Sequence, residues 1–432
     1  MRFKLRATFF LAMLSVSSSL HLYAQDLKYA RQLVNKLASP AFKGRGYEQN
    51  GALQASEFIA AAFRKSGLSP LNNGSYFQEF KIPVNTFPGK MNVRLNDQLL
   101  TPAADYLIDA SSPPIHGNFP VQAVNVEDLG DPEKLSSLLA QAHNAFIGID
   151  LRDATINKTQ KQAVQLTIEK LQEDVNSGIK GLILFTTEKL TWTTLSFQTK
   201  VPVLTVNKKD LDPASVRSIQ VDIDAEFIPS FTTRNVAGLV KGTSRTDSTI
   251  VISAHYDHLG MMGDRVYFPG ANDNASGTAM MLSLARYYAN HPPKYNTVFL
   301  AFSGEEIGLL GSKAFVEQPL IPLKQIRFLL NLDLAGTGEE GIKVVNGTIF
   351  KPQFDTFKAI NDKYKLLPKI DIRGEACNSD HCRFYALGVP CFFMYTQGGI
   401  QAYHDIQDRP ETLPLTAFEP YFQLIVKFLS TF

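Results

Sequence analysis

The sequence predicts an α/β protein with a mixed, largely parallel central sheet that is flanked by helices, and with a smaller α/β domain inserted into the chain. From residue 235 onward, apolar runs of Val, Ile, Leu and Phe alternate with amphipathic helical patterns. Near-continuous apolar runs of this length are typical of strands that are covered on both faces. Residues 85–225 differ in character and contain a strand–helix–strand order of their own, which indicates a separate small α/β unit.

The same patterns locate the individual elements. Two helices are expected within residues 26–67, the second of which ends at Gly67. The insert is predicted to contain a helix over 158–176 and strands over 181–185 and 201–206. The main domain is predicted to contain strands over 249–254, 297–302, 326–332, 342–345 and 389–395, and helices over 276–289 and 418–429. The predicted boundaries are therefore 25–84 and 226–432 for the main domain and 85–225 for the insert.

Composition argues against nucleic acid as a partner. The chain has 432 residues and a formal net charge of +2, with no repeat and no low-complexity tract. Nucleic-acid-binding domains carry a concentrated basic surface, and this sequence shows none.

Residues 1–24 have the pattern of a signal peptide. Basic residues precede an apolar stretch, and Leu22-Tyr23-Ala24 approximates a cleavage site before Gln25. An uncleaved membrane anchor is the alternative, but the apolar run is shorter than the about 20 residues that a span requires. We expect export to the periplasm or the extracellular space, without stable membrane insertion after cleavage.

The three cysteines are Cys377, Cys382 and Cys391. Export permits a disulfide, and the first two are close enough in sequence to close a short loop. Cys391 lies in an apolar run and is predicted to be a buried thiol. A cysteine-based zinc site is poorly supported, because the sequence has no Cys-x-x-Cys pair.

Polar residues follow three predicted strands at the point where each strand ends. His255 and Asp257 follow the first, Glu305 and Glu306 follow the second, and Asp333 follows the third. Ligands of open α/β sheets bind at the carboxyl ends of the strands, so these side chains are expected to converge on one crevice.

Two more residues complete a candidate metal site. Asp273 lies in the loop 270–277, just before a predicted helix, and His404 follows the last strand. The set then has two histidines and three carboxylates, a mixture of donors that favours zinc. Five side chains are too many for one tetrahedral catalytic zinc, so we expect two zinc ions per chain that share a bridging carboxylate. The predicted ligands are His255, Asp273, Glu306, Asp333 and His404.

Two neighbouring acids are assigned supporting roles. Asp257 is placed to orient the ring of His255 through its other nitrogen. Glu305 and Glu306 are adjacent, and at a strand end one can bind metal while the other, Glu305, takes a proton from water. Each feature alone has an ordinary structural explanation, such as a hydrogen-bonded pair or a solvated turn, and their joint occurrence at successive strand ends favours chemistry. Four other histidines lack such company and are assigned to structural or surface positions: His116, His143, His258 and His291.

These motifs resemble those of the bacterial secreted di-zinc aminopeptidases, relatives of the glutamate carboxypeptidase II group among the co-catalytic zinc exopeptidases. The resemblance covers about 26–84 and 230–432. It rests on the segments His255–Gly260, Gly270–Gly277, Phe302–Gly308, Asn331–Asp333, Ser379–His381, Tyr403–His404 and, near the N-terminus, Leu37–Gly46. The segment 85–225 resembles a protease-associated domain in outline.

The resemblance implies how the metal ligands are shared. One zinc would bind His255 and Asp333, the other would bind Glu306 and His404, and Asp273 would bridge them. Family likeness further implies a cis peptide bond between Asp273 and Asn274. One departure is Asn272, where the family usually has an aspartate that is not a ligand.

The resemblance also implies roles outside the ligand set. Glu305 would be the general base and Asp257 would orient a ligand, while Asp380, His381 and Tyr403 would lie near the substrate pocket.

The expected reaction is hydrolysis of N-terminal residues from peptides by a hydroxide that bridges the two zinc ions, with Glu305 as base. A carboxypeptidase or dipeptidase on the same centre is the first alternative, and it would need a cation such as Arg373 or Arg383 in the pocket. A glutaminyl cyclase with one zinc is the second. A binding protein with an inactive peptidase-like domain is the third, although such proteins usually lose ligands.

Overall fold

Two large sheets organise the part of the chain described by this computed structural model, residues 27–152 and 157–432. One sheet has nine strands, the other has eight, and a two-stranded ribbon lies outside both. The predicted signal peptide, residues 1–24, lies outside the described residues.

The helices, numbered in chain order, are α1 (27–37), α2 (Gly51–Ser66), α3 (Pro132–Gln141), α4 (Lys158–Glu173), α5 (Gly277–Asn290), α6 (Leu310–Glu317), α7 (Lys351–Tyr364), α8 (His381–Tyr385) and α9 (Phe418–Leu429). None of these described helices is both long enough and apolar enough to cross a membrane. Helix α4 ends three residues earlier than predicted, because the Asp174 carboxylate accepts a hydrogen bond from the Asn176 N–H and starts a separate turn.

The strands, also in chain order, are β1 (Ser69–Pro70), β2 (Phe77–Thr86), β3 (Met91–Leu95), β4 (Gln98–Leu100), β5 (Tyr106–Ile108), β6 (Ile115–Val124), β7 (Phe146–Asp150), β8 (Gly181–Phe185), β9 (Val203–Val206), β10 (Ser218–Ile223), β11 (Glu226–Val240), β12 (Thr249–His255), β13 (Met261–Met262), β14 (Val266–Tyr267), β15 (Asn296–Phe302), β16 (Ile326–Asp333), β17 (Gly341–Val345), β18 (Ile370–Ile372) and β19 (Cys391–Gln397).

The nine-stranded sheet has the order β1-β11-β15-β12-β16-β19-β17-β18, with β2 paired to β11. Its centre is parallel, because β15, β12, β16 and β19 run in one direction, while β11 and β17 flank them antiparallel. The predicted mixed, largely parallel sheet is confirmed. Strand β19 begins two residues later than predicted, at the first residue after Pro390, which has no N–H to donate to the ladder. The parallel strands bring four carboxyl ends to one edge.

The eight-stranded sheet has the order β4-β3-β10-β6-β7-β8-β9-β5. All of its strands lie between residues 91 and 223, inside the segment 85–225 that the sequence assigns to an insert. Its apolar core also contains Leu259, Met262 and Phe268 from the main domain, which pack with Phe87 and Trp192. The loop that follows the first predicted ligand is therefore part of the core of the insert.

A buried guanidinium ties the N-terminal segment to the central sheet. Arg45 has no exposed surface and donates to the carbonyl oxygens of Leu37, Tyr256, Pro269 and Gly270 at 2.7–3.0 Å. Burial lowers the pKa of Arg45 to about 10, against the opposing charge of nearby carboxylates, so it stays a cation at neutral pH. Its neighbour has no room for a side chain, since a Cβ on Gly46 would lie 2.2 Å from the Gly260 Cα.

The cysteines lie as the sequence indicates. Cys377 and Cys382 form a disulfide that closes a loop of five-residue separation. Cys391 is a buried free thiol at the start of β19, and burial raises its pKa to about 12. Its reactivity as a thiolate is therefore low at physiological pH.

The buried carboxyl of Glu48 generates a prediction about pH and stability. Its Oε2 accepts a long hydrogen bond from the Met261 N–H at 3.4 Å, and burial raises its pKa to about 7 from the usual 4.5. The folded protein then holds a proton that the unfolded chain has already released. The free energy of unfolding should fall as the pH rises from about 4.5 to about 7, by on the order of 1–3 kcal/mol.

Replacing Glu48 by Gln removes this titration. We expect the Glu48→Gln variant to melt above the wild-type protein at pH 8 and to lose that advantage near pH 5. Thermal melting followed by circular dichroism at both pH values measures the difference. The exposed Glu79→Gln variant is the matched control. A Glu48→Gln effect of equal size at both pH values would contradict the assignment.

Candidate metal centre

The carboxyl edge of the main sheet assembles the predicted ligands. Strand β12 ends at His255 and the adjacent parallel strand β16 ends at Asp333. Glu306 lies in the turn that follows β15, the other neighbour of β12. Asp273 comes from the loop before α5, and His404 comes from the loop after β19. All five line one cavity.

The carboxylate of Asp273 stands between two groups of donors. Its Oδ1 lies 3.4 Å from His255 Nε2, which is also 3.4 Å from Asp333 Oδ2. Its Oδ2 lies 3.1 Å from His404 Nε2, which is 3.2 Å from Glu306 Oε2. We call the first group, His255 and Asp333 with Oδ1 of Asp273, the His255 site. The second group, His404 and Glu306 with Oδ2 of Asp273, is the His404 site.

The donor spacing is that of zinc at the His255 site and is slightly shorter at the His404 site. Zinc binds imidazole nitrogen and carboxylate oxygen at about 2.0–2.2 Å, so neighbouring donors of a tetrahedral ion lie about 3.3–3.5 Å apart. The four measured separations are 3.1–3.4 Å. The far nitrogen of each ring also faces a carbonyl: Nδ1 of His404 is 3.0 Å from Trp192 O, and Nδ1 of His255 is 3.3 Å from Asp257 O. A proton on Nδ1 leaves the Nε2 lone pair free for a metal.

The electrostatics of the sites require positive charge between the donors. Burial alone would lower the pKa of His404, but Glu306 and Asp273 raise it to about 11. Burial and the charge of Asp273 raise the pKa of Glu306, but His404 and His258 lower it to about 2. The carboxylates thus favour a positive charge at the imidazoles, and a bound cation would supply that charge in place of protons.

Glu305 is a partly buried carboxyl that takes no part in the donor contacts of the two sites. It lines the same cavity as the ligands. Burial raises its pKa well above the usual range, His255 opposes this shift, and the charges of Glu306 and Asp380 add to it. A carboxyl with a raised pKa beside a metal site has the properties of a group that accepts and returns a proton.

Asp257 is fully buried, but its carboxylate has a different partner from the one predicted. Its Oδ1 is 3.7 Å from His255 Nδ1, beyond hydrogen-bond distance, and the closer acceptor is its own main-chain carbonyl. The carboxylate instead accepts from the N–H groups of Glu305 and Glu306 at 3.3 and 3.4 Å and from the Tyr47 hydroxyl at 3.0 Å. Asp257 therefore fixes the turn that carries both glutamates.

The loop around Asp273 is anchored on several sides. The Asp273–Asn274 peptide bond is cis, as the family resemblance implies. The Asn274 side chain donates to Leu332 O at 3.0 Å and accepts from the Gly277 N–H at 2.9 Å, which joins the loop to β16 and α5. The side chain of Asn272, the departure noted above, accepts from the Gly336 N–H at 3.0 Å.

The sequence did not indicate two of the residues that support the site. His258, assigned above to a structural or surface position, is fully buried, and its Nδ1 lies 2.7 Å from Glu306 Oε1. The signal that could have identified His258 is its position in the same sequence motif as His255. Asp408 accepts from the N–H groups of Asn272 and Asp273 at 2.8 and 2.9 Å. Nothing in its polar loop distinguishes it from the neighbouring acids.

The cavity at the metal centre has a volume of about 170 Å³. Its lining consists of His255, Asp273, Glu305, Glu306, Asp333, Leu334, Asn378, Phe393, Tyr395, Tyr403 and His404. Among the described residues, no Lys or Arg belongs to this lining. The cavity is therefore acidic on the metal side and largely aromatic on the other.

Of the three residues that the resemblance places near the substrate pocket, one lines the cavity and two do not. Tyr403 lines the cavity and stacks on the ring of His404, with centroids 4.0 Å apart. Asp380 and His381 are buried behind the lining, where His381 stacks on Phe393 at 5.0 Å. Only Tyr403 of the three is in a position to contact a molecule in the cavity.

Sequence comparison finds relatives among peptidases. Aminopeptidase YwaD of Bacillus subtilis is 28% identical over 327 residues, which cover 72% of this chain and 63% of the relative. A probable zinc metalloprotease of Pyrenophora tritici-repentis is 31% identical over 202 residues, 44% of each chain. The chain thus spans less than two thirds of the length of these relatives.

Structure comparison finds the same fold in solved proteins. A zinc aminopeptidase from Bacillus subtilis aligns over 94% of both chains, with a TM-score of 0.68 and 21% identity. A peptidase M28 precursor from Shewanella amazonensis aligns over 96% of both chains, with a TM-score of 0.68 and 17% identity. Residues 235–429 match the family model described as Peptidase family M28. All five donor residues and Glu305 lie within this segment, so the part of the chain that forms the site is similar to peptidase family M28.

Proposed function

We propose that the protein is an exported metallo-aminopeptidase that removes single residues from peptide N-termini with two zinc ions. The observation that carries this proposal is the Asp273 carboxylate, whose two oxygens face two separate donor pairs at zinc-like spacing. The match of residues 235–429 to peptidase family M28 and the names of the relatives support a peptidase. The export part of the proposal rests on the signal-peptide pattern of residues 1–24.

The ligand assignment follows from the two sites. His255 and Asp333 would hold one zinc, His404 and Glu306 the other, and Asp273 would bind both. Ions bound there would supply Lewis-acid chemistry, because they would polarise a carbonyl oxygen and make water easier to deprotonate.

Glu305 would move the proton in this reaction. Its carboxylate takes a proton from the attacking water and returns it to the nitrogen of the leaving amine, so that the peptide bond breaks and the base is regenerated. Asp257 holds the Glu305 N–H at 3.3 Å and thereby keeps this carboxyl in place.

The shape and charge of the cavity favour an N-terminal residue. The cavity is lined by the metal donors and by the rings of Phe393, Tyr395 and Tyr403. The free α-amine of a substrate is a cation, and the acidic side of the cavity attracts it. A C-terminal carboxylate would need a cationic partner, and the lining contains none among the described residues. Phe393 and Tyr395 offer an aromatic wall to the side chain of the residue that is removed.

The role of Glu305 is tested by the Glu305→Gln variant, which keeps the shape but cannot accept the proton. We expect kcat on aminoacyl p-nitroanilides to fall about 10²–10⁴-fold, with zinc content unchanged by elemental analysis. The exposed Glu317→Gln variant serves as the control and should keep wild-type kcat. Near-normal hydrolysis by Glu305→Gln with zinc bound would exclude Glu305 as the base.

The two-ion centre predicts the stoichiometry and the effect of metal removal. The protein should bind two zinc ions per chain, lose activity with a chelator and regain it on addition of zinc. Its melting temperature should drop on removal, because the metal binds only the folded state. Asp333→Asn changes only the His255 site and should keep one tightly bound zinc, whereas Asp273→Asn should weaken both. One zinc per wild-type chain would contradict the proposal and favour the glutaminyl cyclase alternative.

The direction of trimming is tested with a panel of short peptides. Peptides with a free N-terminus should lose N-terminal residues one at a time, as followed by mass spectrometry. An acetylated N-terminus should abolish cleavage because it removes the cationic amine, while an amidated C-terminus should have little effect. Release of C-terminal residues from acetylated peptides would instead support a carboxypeptidase.

A further inference from the structure

A long segment of the insert reaches the metal centre. Residues 186–202, between β8 and β9, contain no helix or strand and include Lys189, Trp192 and Thr194. We call these three residues the clamp. Loops of this length without secondary structure of their own are usually functional in compact proteins.

The main chain of Trp192 makes two hydrogen bonds to His404, one to its backbone and one to its ring. Its N–H donates to the carbonyl oxygen of His404 at 2.9 Å. Its own carbonyl lies 3.0 Å from His404 Nδ1 and accepts that proton. One residue of the insert therefore fixes both the backbone position and the ring tautomer of a predicted ligand.

The other clamp residues hold the surroundings of the same ligand. Lys189 Nζ lies 2.8 Å from the carbonyl oxygen of Gln401, 3.3 Å from that of Tyr403 and 2.5 Å from the Asp405 carboxylate. These bonds fix the loop on both sides of His404. The Thr194 hydroxyl donates to the main-chain carbonyl of Glu306 at 3.1 Å.

The clamp is itself rigidly anchored in the insert. The Trp192 side chain is 5% exposed, and its Nε1 donates to Ile108 O at 2.7 Å. Its ring stacks on Phe268, with centroids 4.9 Å apart, and contacts Phe87 at 5.8 Å. The position of the clamp backbone therefore depends on the packing of the insert.

The support is unequal between the two sites. Glu306 and His404, the unshared ligands of the His404 site, both receive bonds from the clamp. His255 and Asp333 are held by the main domain, through Thr278 and the Leu334 N–H. Within 27–152 and 157–432, no hydrogen bond or ion pair from the insert reaches either of them.

We propose that the clamp sets the affinity of the His404 site for zinc and leaves the His255 site largely unaffected. This inference rests on the proposed function, because it concerns the same pair of ions. Lys189, Trp192 and Thr194 act as positioning residues. Groups that orient metal ligands typically change metal affinity by about 10–100-fold when they are removed. The effect is reciprocal, so zinc in the His404 site should also order the segment 186–202.

The test uses Lys189→Met, because Lys189 is half exposed and its loss should leave the fold intact. Zinc content is measured over a series of buffered free-zinc concentrations. We expect one of the two zinc ions to bind about 10–100-fold more weakly and the other to bind as in the wild type. Lys189→Arg should restore the affinity because it keeps a cationic donor. Lys200→Met, an exposed lysine at the end of the same segment, is the matched control and should behave as the wild type.

The weakened ion is identified in backgrounds that keep one site. In Asp333→Asn the remaining tight zinc occupies the His404 site, and adding Lys189→Met should weaken it. In Glu306→Gln the remaining zinc occupies the His255 site, and adding Lys189→Met should change little. Hydrogen exchange of segment 186–202 should slow on zinc binding in the wild type and less so in Lys189→Met, a readout that does not depend on activity.

Two results would overturn the inference and leave the proposed function in place. In the first, Lys189→Met binds both zinc ions with wild-type affinity. In the second, the affinity for both zinc ions falls equally. A wild-type protein that binds fewer than two zinc ions would overturn the proposed function and this inference with it. Thr194→Val, compared with the exposed Thr191→Val, repeats the test through Glu306 and should weaken the same ion.

Discussion

The bridging position of the Asp273 carboxylate is the constraint on which the rest of the centre depends. One oxygen faces the His255 site and the other faces the His404 site, at 3.4 and 3.1 Å from the imidazole nitrogens. Both halves therefore keep their geometry only if this one side chain is held from behind. Arg45 and Asp408 do so by binding the backbone around it, and the Asn274 side chain ties the same loop to Leu332 O, so that part of the N-terminal segment supports the candidate metal centre.

The second constraint is charge. Burying several carboxylates in one cavity is unfavourable unless cations compensate them. The imidazoles do this in the absence of metal, which is why the pKa of His404 is raised to about 11 despite burial. Glu305 is less well compensated, and its pKa is raised well above the usual range. The same crowding that favours a bound cation thus distinguishes Glu305 from the carboxylates of the predicted ligands.

The insert is joined to the centre through packing as well as hydrogen bonds. Trp192 packs on Phe268, which lies in the loop between two predicted ligands, and its backbone binds a third. The insert therefore shares both an apolar core and a contact to a predicted ligand with the main domain. The geometry of the His404 site therefore depends on the packing of the insert. The geometry of the His255 site does not, because among the described residues no hydrogen bond or ion pair joins its unshared ligands to the insert.

The sequence by itself determined the mixed sheet and the strand ends that carry His255 and Asp333, because apolar periodicity is a local property. It also determined the donor types, because ligand chemistry belongs to the individual side chains. The supporting contacts were decided only by tertiary structure. Asp408 reaches the loop of Asp273 from a distant part of the chain, which no local pattern records. The His258 ring turns to Glu306, and the Asp257 carboxylate turns to the glutamate N–H groups rather than to the adjacent histidine. The packing of distant segments decides which oxygen of a carboxylate faces which site and which loop covers a ligand. Composition and spacing do not encode this packing.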